Sequence, residues 1–160
     1  MAKKGKNKSS SNTIALNRRA RFDFHIDEKI EAGIELMGWE VKSIRKGNAQ
    51  LTESYVIIQN DEAWILGCQI QPLPTASTHF VTEPTRTRKL LMHRRQIDKI
   101  KVMTQQKGHT VVATAMYWKA HLIKVEVGLA RGKQQHDKRQ TEKERDWSRD
   151  KQRVLSTNNR

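Results

Sequence analysis

The residue types that carry catalysis or hold metals occur in this chain without the spacing that either needs. Six histidines, at 25, 79, 93, 109, 121 and 136, form no HExxH or comparable pattern, and Cys68 is the only cysteine. A thiolate cage for zinc needs several cysteines, so none can form. A phosphate-cradling loop needs GxxxxGK followed by Ser or Thr. The run Gly128-Leu129-Ala130-Arg131-Gly132-Lys133-Gln134 is too short between its glycines and ends in Gln. No GxSxG turn is present to expose a nucleophile. The carboxylate pairs Asp27-Glu28 and Asp61-Glu62 fall at a predicted helix cap and a predicted turn. The expectation is a protein that is not an enzyme and holds no metal or cofactor.

Cations are what the chain offers instead. Arg18, Arg19 and Arg21 cluster ahead of the first predicted element; Arg86, Arg88, Lys89, Arg94 and Arg95 form a second group. Lys119 and Lys124 sit beside Trp118, and His136, Lys138 and Arg139 open the C-terminal segment. RNA recognition combines phosphate charge, stacking on aromatic or guanidinium planes, and polar contacts to exposed groups. Each cluster alone is equally well a solvated face; together they point to a nucleic acid.

The placement of charge agrees. The net charge is +14, of which residues 1–21 carry +7 and residues 131–160 carry +5. Residues 22–130 carry only +2, as an ordinary domain would. Basic arms at both ends serve no packing purpose and are the footprint of a polyanion partner. The single cysteine excludes an intrachain disulfide, which fits the cytosol. No apolar run reaches the ~20 residues that span a bilayer, and no signal-peptide core follows the first lysines.

Residues 1–13 form a flexible basic arm. Asp27 caps a helix over about 28–37, with Ile30, Ile34 and Met37 inward and Gly38 at its end. Gly33 inside it implies a close approach. Trp39–Arg45 alternates as a half-buried strand. Tyr55–Gln59 and Ala63–Leu66 flank Asn60-Asp61-Glu62 as a hairpin, and Cys68 lies in a buried apolar run. A proline-bracketed loop leads to an extended stretch at Arg86–Leu91 and a second helix over about 93–106, ended by Gly108. Thr110–Tyr117 and His121–Ala130 are strands around Trp118-Lys119-Ala120. The predicted class is mainly β with short helices: a small closed antiparallel oligonucleotide-binding-like barrel over 14–130. Residues 131–160 hold few large apolar side chains, and the segment is expected to be disordered when free and helical on a partner, with Gly132 as the hinge.

At Gly38-Trp39-Glu40-Val41-Lys42-Ser43-Ile44-Arg45 the chain resembles the SsrA-binding protein family, also called small protein B. Ile14–Arg21, Ser77-Thr78-His79, Pro84–Leu91, Tyr117-Trp118-Lys119, Gly132-Lys133 and Gln135–Arg139 resemble the same family, in its order, from about residue 13 to 155. The resemblance implies a barrel that binds the tRNA-like domain of transfer-messenger RNA and delivers that RNA to stalled ribosomes. It implies that the protein stands in for the missing anticodon arm, and that its tail enters the vacant messenger channel beside the decoding centre. No membrane and no DNA is implied as a partner.

The resemblance also assigns roles one position at a time. Asn17, Glu31 and Leu91 fall on RNA-facing positions, with Arg18, Arg19, Arg21, Arg86, Arg88, Lys89, Trp118, Lys119 and Lys124 around them. Gly132, Lys133, His136, Asp137, Lys138 and Arg139 fall on the ribosome-contacting tail, His136 by stacking and Asp137 as a helix cap. Trp147 and the late aliphatic pair Val154-Leu155 belong to the same tail. The alternative is a ribosomal-RNA-binding protein or assembly factor built on the same barrel.

Overall fold

The computed structural model describes residues 12–76, 79 and 81–157, so the predicted arm over 1–13 lies almost wholly outside the described residues. The chain opens with β1 (Thr13–Leu16) and α1 (Arg18–Asp23), then the long β2 (Phe24–Ile34). Helix α2 (Gly38–Arg45) and the short β3 (Ala49–Gln50) follow. The hairpin β4 (Tyr55–Gln59) and β5 (Glu62–Leu66) leads to β6 (Gln69–Ile70) and β7 (Arg88–Leu91). Helix α3 (Arg94–Lys107), the pair β8 (Thr110–Lys119) and β9 (Leu122–Gly132), and α4 (Gln135–Thr157) complete the fold.

The large sheet is antiparallel in all its pairings. Its order is β1-β8-β4-β5-β7-β2-β9, and β9 also pairs with β8, so the pairings run round a ring with β1 added outside. Inside it lie Ile44, Leu51, Ile65, Leu90, Ile100, Met116, Val125, Val127 and Leu129. Cys68 is fully buried, as its apolar run predicts, and burial pushes its thiol up to about 11. The β4–β5 turn places Asn60 and Asp61 at φ 50° and 61°. That is the two-residue hairpin whose twist matches its strands. Helix α3 ends at Gly108 with φ 63°, a left-handed cap that glycine adopts without a steric penalty.

Two adjacent segments exchange the expected structures. Residues 28–37 are predicted helical, but the structure runs β2 through Ile34. Ile30 and Ile34 fit a period of two as well as a period of 3.6. Ala32, fully buried between them, decides for the strand. Trp39–Arg45 is predicted as a strand and is helix α2. Glu40, Ser43 and Ile44 are its buried residues, at helical spacing, and the Glu40 carboxylate accepts from the Met37 N–H at 2.7 Å, closing the first turn. The last hairpin connection is one residue shorter than expected: Trp118 and Lys119 belong to β8, and Lys119 faces Leu122 across a two-residue turn at Ala120-His121. Strand β9 continues to Gly132, opposite Phe24, two residues past the predicted domain edge.

The tail is a helix here, where unstructured chain is expected. Residues 135–157 contain no Gly or Pro and are rich in Gln, Lys, Arg and Glu, all good helix formers. Among the described residues, only its first half meets the domain. Lys138 Nζ lies 3.1 Å from Asp23 Oδ1, and the Arg145 guanidinium stands 5.4 Å over the Phe22 ring. Beyond Arg145 every residue through Ser156 is exposed.

Candidate nucleic-acid interface

Strand β2 turns Lys29 and Glu31 to one side and Ile30 and Ala32 to the other, as a period of two requires; a bulge at Asp27 breaks the alternation before them, and Ile26 packs in a second cluster with Ala20, Val112 and Ala130. Its neighbour β9 places Glu126 directly opposite Glu31. On β8, Tyr117 donates from its hydroxyl to Glu31 Oε2 at 2.5 Å, and Lys119 Nζ donates to Oε1 at 2.8 Å. Glu126 Oε1 accepts from Thr114 Oγ1 at 2.7 Å, with Lys29 Nζ at 3.1 Å and an Arg21 nitrogen at 3.9 Å. The outer face of β2, β8 and β9 is therefore a strip of two carboxylates rimmed by cations from three elements and from α1.

The electrostatics keep both carboxylates charged. The Lys119 ammonium, then the Tyr117 hydroxyl, hold Glu31 below the usual carboxylate value. Burial opposes the charge on Glu126, but hydrogen bonds from Thr114 and Lys29 outweigh it and its carboxyl is also lowered. Burial, then the bond to Glu31, pushes the Tyr117 hydroxyl up to about 12, so it stays a donor.

The strip opens at one end into a cleft of about 590 Å³ lined by Glu31, Lys89, Leu91, Lys124 and the start of α3. Leu91 is 55% exposed and sits across from Gly33 in the β2–β7 pairing. A Cβ on Gly33 would fall 3.1 Å from the Leu91 Cβ, so the glycine lets β7 come in and lifts Leu91 over the sheet. This is the close approach expected at Gly33. Lys89, beside it, is held by Glu62 at 2.5 Å. Neither Lys124 nor Arg18 has an ion-pair partner among the described residues.

Other predicted contacts are turned inward. Arg88 is fully buried: its Nε donates to Glu40 Oε1 at 2.7 Å, and its other nitrogens donate to the carbonyls of Cys68, Arg86 and Pro84. Arg86 donates to both oxygens of the same Glu40, at 2.8 and 2.6 Å. This cluster fixes β7, and through it Lys89 and Leu91, but Arg88 itself offers nothing to a partner. Asn17 is buried too: Oδ1 caps α1 at the Ala20 N–H and Nδ2 donates to the Ala113 carbonyl. It positions Arg18, Arg19 and Arg21 rather than presenting an amide. Arg19 is exposed and pairs with Asp23 and Glu53. Trp118 packs partly against the core.

In the tail, Gly132 ends β9 and Lys133 ties back through its N–H to the Asp23 carbonyl at 3.0 Å. Asp137 lies in the first turn of α4, Arg139 is exposed, and Lys138 is drawn to Asp23 instead of its sequence neighbour Glu142. The side chain of His136 lies outside the described residues. Trp147, Val154 and Leu155 are 73%, 60% and 60% exposed.

Sequence reading missed Lys29, Thr114, Tyr117 and Glu126 as members of this face. The signal was present in the alternation Lys29-Ile30-Glu31-Ala32, which a helix assignment conceals. It also missed Asp27, whose carboxylate takes Arg131 Nε at 2.8 Å and His109 Nε2 at 2.7 Å where β2 bulges. No group of three or more His, Cys, Asp or Glu suited to a metal occurs among the described residues.

Fold and face together define a small β-ring module whose cationic rim and projecting basic helix suit a polyanion. The chain belongs to the SmpB protein family, whose model matches residues 14–157. It is 60% identical over 150 residues to an SsrA-binding protein of Saccharophagus degradans, covering 94% of each chain. It is 59% identical over 155 residues to one of Chromohalobacter salexigens, covering 97% of this chain and 98% of that one. A solved chain described as "tmRNA-SmpB: a journey to the center of the bacterial ribosome" matches with TM-score 0.62 and 39% identity, over 75% of this chain and 84% of that one.

Proposed function

We propose that this chain binds the tRNA-like domain of transfer-messenger RNA and carries it to stalled ribosomes for trans-translation, as a cytoplasmic RNA-binding protein without a catalytic step. The observation that carries the reading is the outer face of β2, β8 and β9, where Arg21, Lys29, Lys119 and Lys124 rim two charged carboxylates and an exposed leucine. The names of its relatives, SsrA-binding proteins, and the solved tmRNA–SmpB chain support the choice of partner. No described helix is long and apolar enough to cross a membrane.

In this reading the ring of strands works as a closed oligonucleotide-binding-like barrel. Arg18, Arg19, Arg21, Lys89, Lys119 and Lys124 meet phosphates, Leu91 and Trp118 give apolar contact, and Glu31 accepts from a base amine or a 2′-hydroxyl. Arg86, Arg88 and Asn17 act through the fold. The barrel occupies the place of an anticodon arm. Of the tail, helix α4 exchanges between helix and unfolded chain in the free protein, since one lysine pair and one cation–π contact anchor it weakly. It becomes helical in the empty messenger channel of the small subunit, pivoting at Gly132. There Lys133, Lys138 and Arg139 meet RNA, His136 stacks at the decoding centre, Asp137 caps the helix, and Trp147, Val154 and Leu155 make late apolar contacts.

The test is binding to the isolated tRNA-like domain over a salt series with bulk tRNA as competitor. Retained binding in excess tRNA, with a log–log salt slope of about −0.7 per phosphate neutralised, is expected. Equal displacement by bulk tRNA refutes the specific reading and leaves a ribosomal-RNA binder or assembly factor with the same barrel.

A further inference from the structure

We infer that Glu126 is a specificity-determining residue of the RNA face, one that rejects continuous phosphate and admits an RNA presenting a hydrogen-bond donor; the inference rests on the function proposed above. Four observations carry it. Glu126 stands opposite Glu31 in the β2–β9 pairing, and the two carboxylates make a negative strip at the centre of a cationic rim. Like charges directly across a sheet are destabilising unless something holds them. Here Glu126 is held by Thr114, a fully buried residue at an irregularity in β8 where the register shifts between Ala113 and Ala115. A bulge of this kind re-aims one side chain, and Thr114 Oγ1 is aimed at Glu126 Oε1. Only that oxygen is engaged; Glu126 Oε2 receives no hydrogen bond among the described residues, and the side chain is 25% exposed. Finally, Lys29 from β2 and Arg21 from α1 both approach Oε1, at 3.1 and 3.9 Å, so two cations stand beside the carboxylate.

A phosphate run laid along this face meets cations at the edges and two negative groups in the middle. A duplex backbone therefore binds poorly. An RNA whose unpaired base or ribose brings an exocyclic amine or 2′-hydroxyl to the centre satisfies the free oxygen while its phosphates reach Arg21 and Lys29. Specificity of this type arises as much from repulsion of the wrong ligand as from attraction of the right one.

The experiment compares the wild-type protein, Glu126→Gln and Thr114→Val, each as full chain, for binding the tRNA-like domain and a generic RNA duplex at one fixed salt concentration. The readout is the dissociation constant for the duplex divided by that for the tRNA-like domain. Glu126→Gln keeps the shape and removes the charge, so it should weaken the tRNA-like domain and strengthen the duplex. The expected fall in the ratio is about tenfold, the scale of one charge-assisted hydrogen bond. Thr114→Val frees the carboxylate without neutralising it and should lower the ratio by less. A ratio unchanged in Glu126→Gln, with the wild-type protein discriminating normally, overturns the role given to Glu126 alone. Parallel weakening of both ligands also overturns it, because a merely structural residue acts that way. Wild-type protein that does not discriminate overturns the proposed function itself.

Discussion

Replacing Glu40 with Gln should be among the most damaging single changes of a charged residue in this domain. Glu40 is fully buried and takes hydrogen bonds from Arg86, Arg88 and the Met37 N–H, all between 2.6 and 2.8 Å. Gln keeps the shape but leaves two guanidiniums facing each other, one of them with no exposure at all. Removing one partner from a buried charge cluster costs about 3–5 kcal/mol. For a chain of this size each kcal/mol shifts the melting point by about 3 °C, so Glu40→Gln should melt about 10 °C lower, with a matching fall in the urea midpoint. Arg86→Ala should cost less, since Arg88 still neutralises Glu40 and Arg86 is partly solvated. The pH dependence follows from the same cluster. Burial raises the Glu40 carboxyl, but the bonds from Arg86, the Met37 amide and Arg88 outweigh it, so its folded value lies below the ordinary 4.5. The folded state then binds fewer protons than the unfolded one. This stability is present above about pH 4.5 and is lost as pH falls through the lowered value. Glu40→Gln should remove that part of the acid limb. A loss below about 1 kcal/mol, the scale of an exposed pair, would refute the claim that this cluster holds β7 in place.

Leu91→Ala should weaken RNA binding several-fold with little change in melting point, because Leu91 is exposed; Leu90→Ala, one residue away and buried, should cost about 2–5 kcal/mol in stability. Asp27, held down to about 2 by the Arg131 guanidinium and then by His109, contributes stability above about pH 4 that is lost as pH falls towards 2. In acid titration followed by circular dichroism, Asp27→Asn should flatten that limb. A chain ending at Gly132 keeps all of β9 and should retain most affinity for the tRNA-like domain while losing peptide tagging on stalled ribosomes; a large loss of affinity would show that α4 belongs to the RNA face. Trp147→Ala should leave the melting point unchanged, as its ring is 73% exposed, and a clear fall would mean that the tail packs on the domain.

The sequence was most legible where one signal had a single structural reading. Asn60-Asp61 between apolar alternations admits little but a hairpin, and Gly108 after Ile97 and Ile100 ends a helix in the expected register. It was least legible at residues 28–45, where apolar spacings of four fit two periods. There the deciding term was tertiary: Ala32 buried in the sheet, and Glu40 drawn inside by arginines 46 and 48 residues away. The same long-range pairing explains the uneven site. A cluster such as Arg86-Arg88-Lys89 reads as one basic patch, yet only its alternate members face outward, and Arg88 is spent on a carboxylate that the sequence places in another element. Asn17 carries a motif resemblance and a chemistry suited to RNA, but its amide closes α1. Glu31 and Leu91 were singled out by resemblance alone, and their neighbourhood with Lys124 became visible only when β2, β7 and β9 were seen side by side. Helix α4 marks the converse case: its composition shows both that it buries little and that its residues favour a helix, and the first signal outweighed the second in the reading.

The most direct test of the account is a residue-resolved map of the surface that RNA covers, from amide shifts or hydrogen exchange as the tRNA-like domain is titrated into the full chain. Changes are expected along β2 from Lys29 to Gly33, across Tyr117–Lys124 and Glu126, and at Lys89–Leu91, with α1 at the margin. Changes confined to the solvent side of α3 or to the distal half of α4, with β2 and β9 silent, would contradict it.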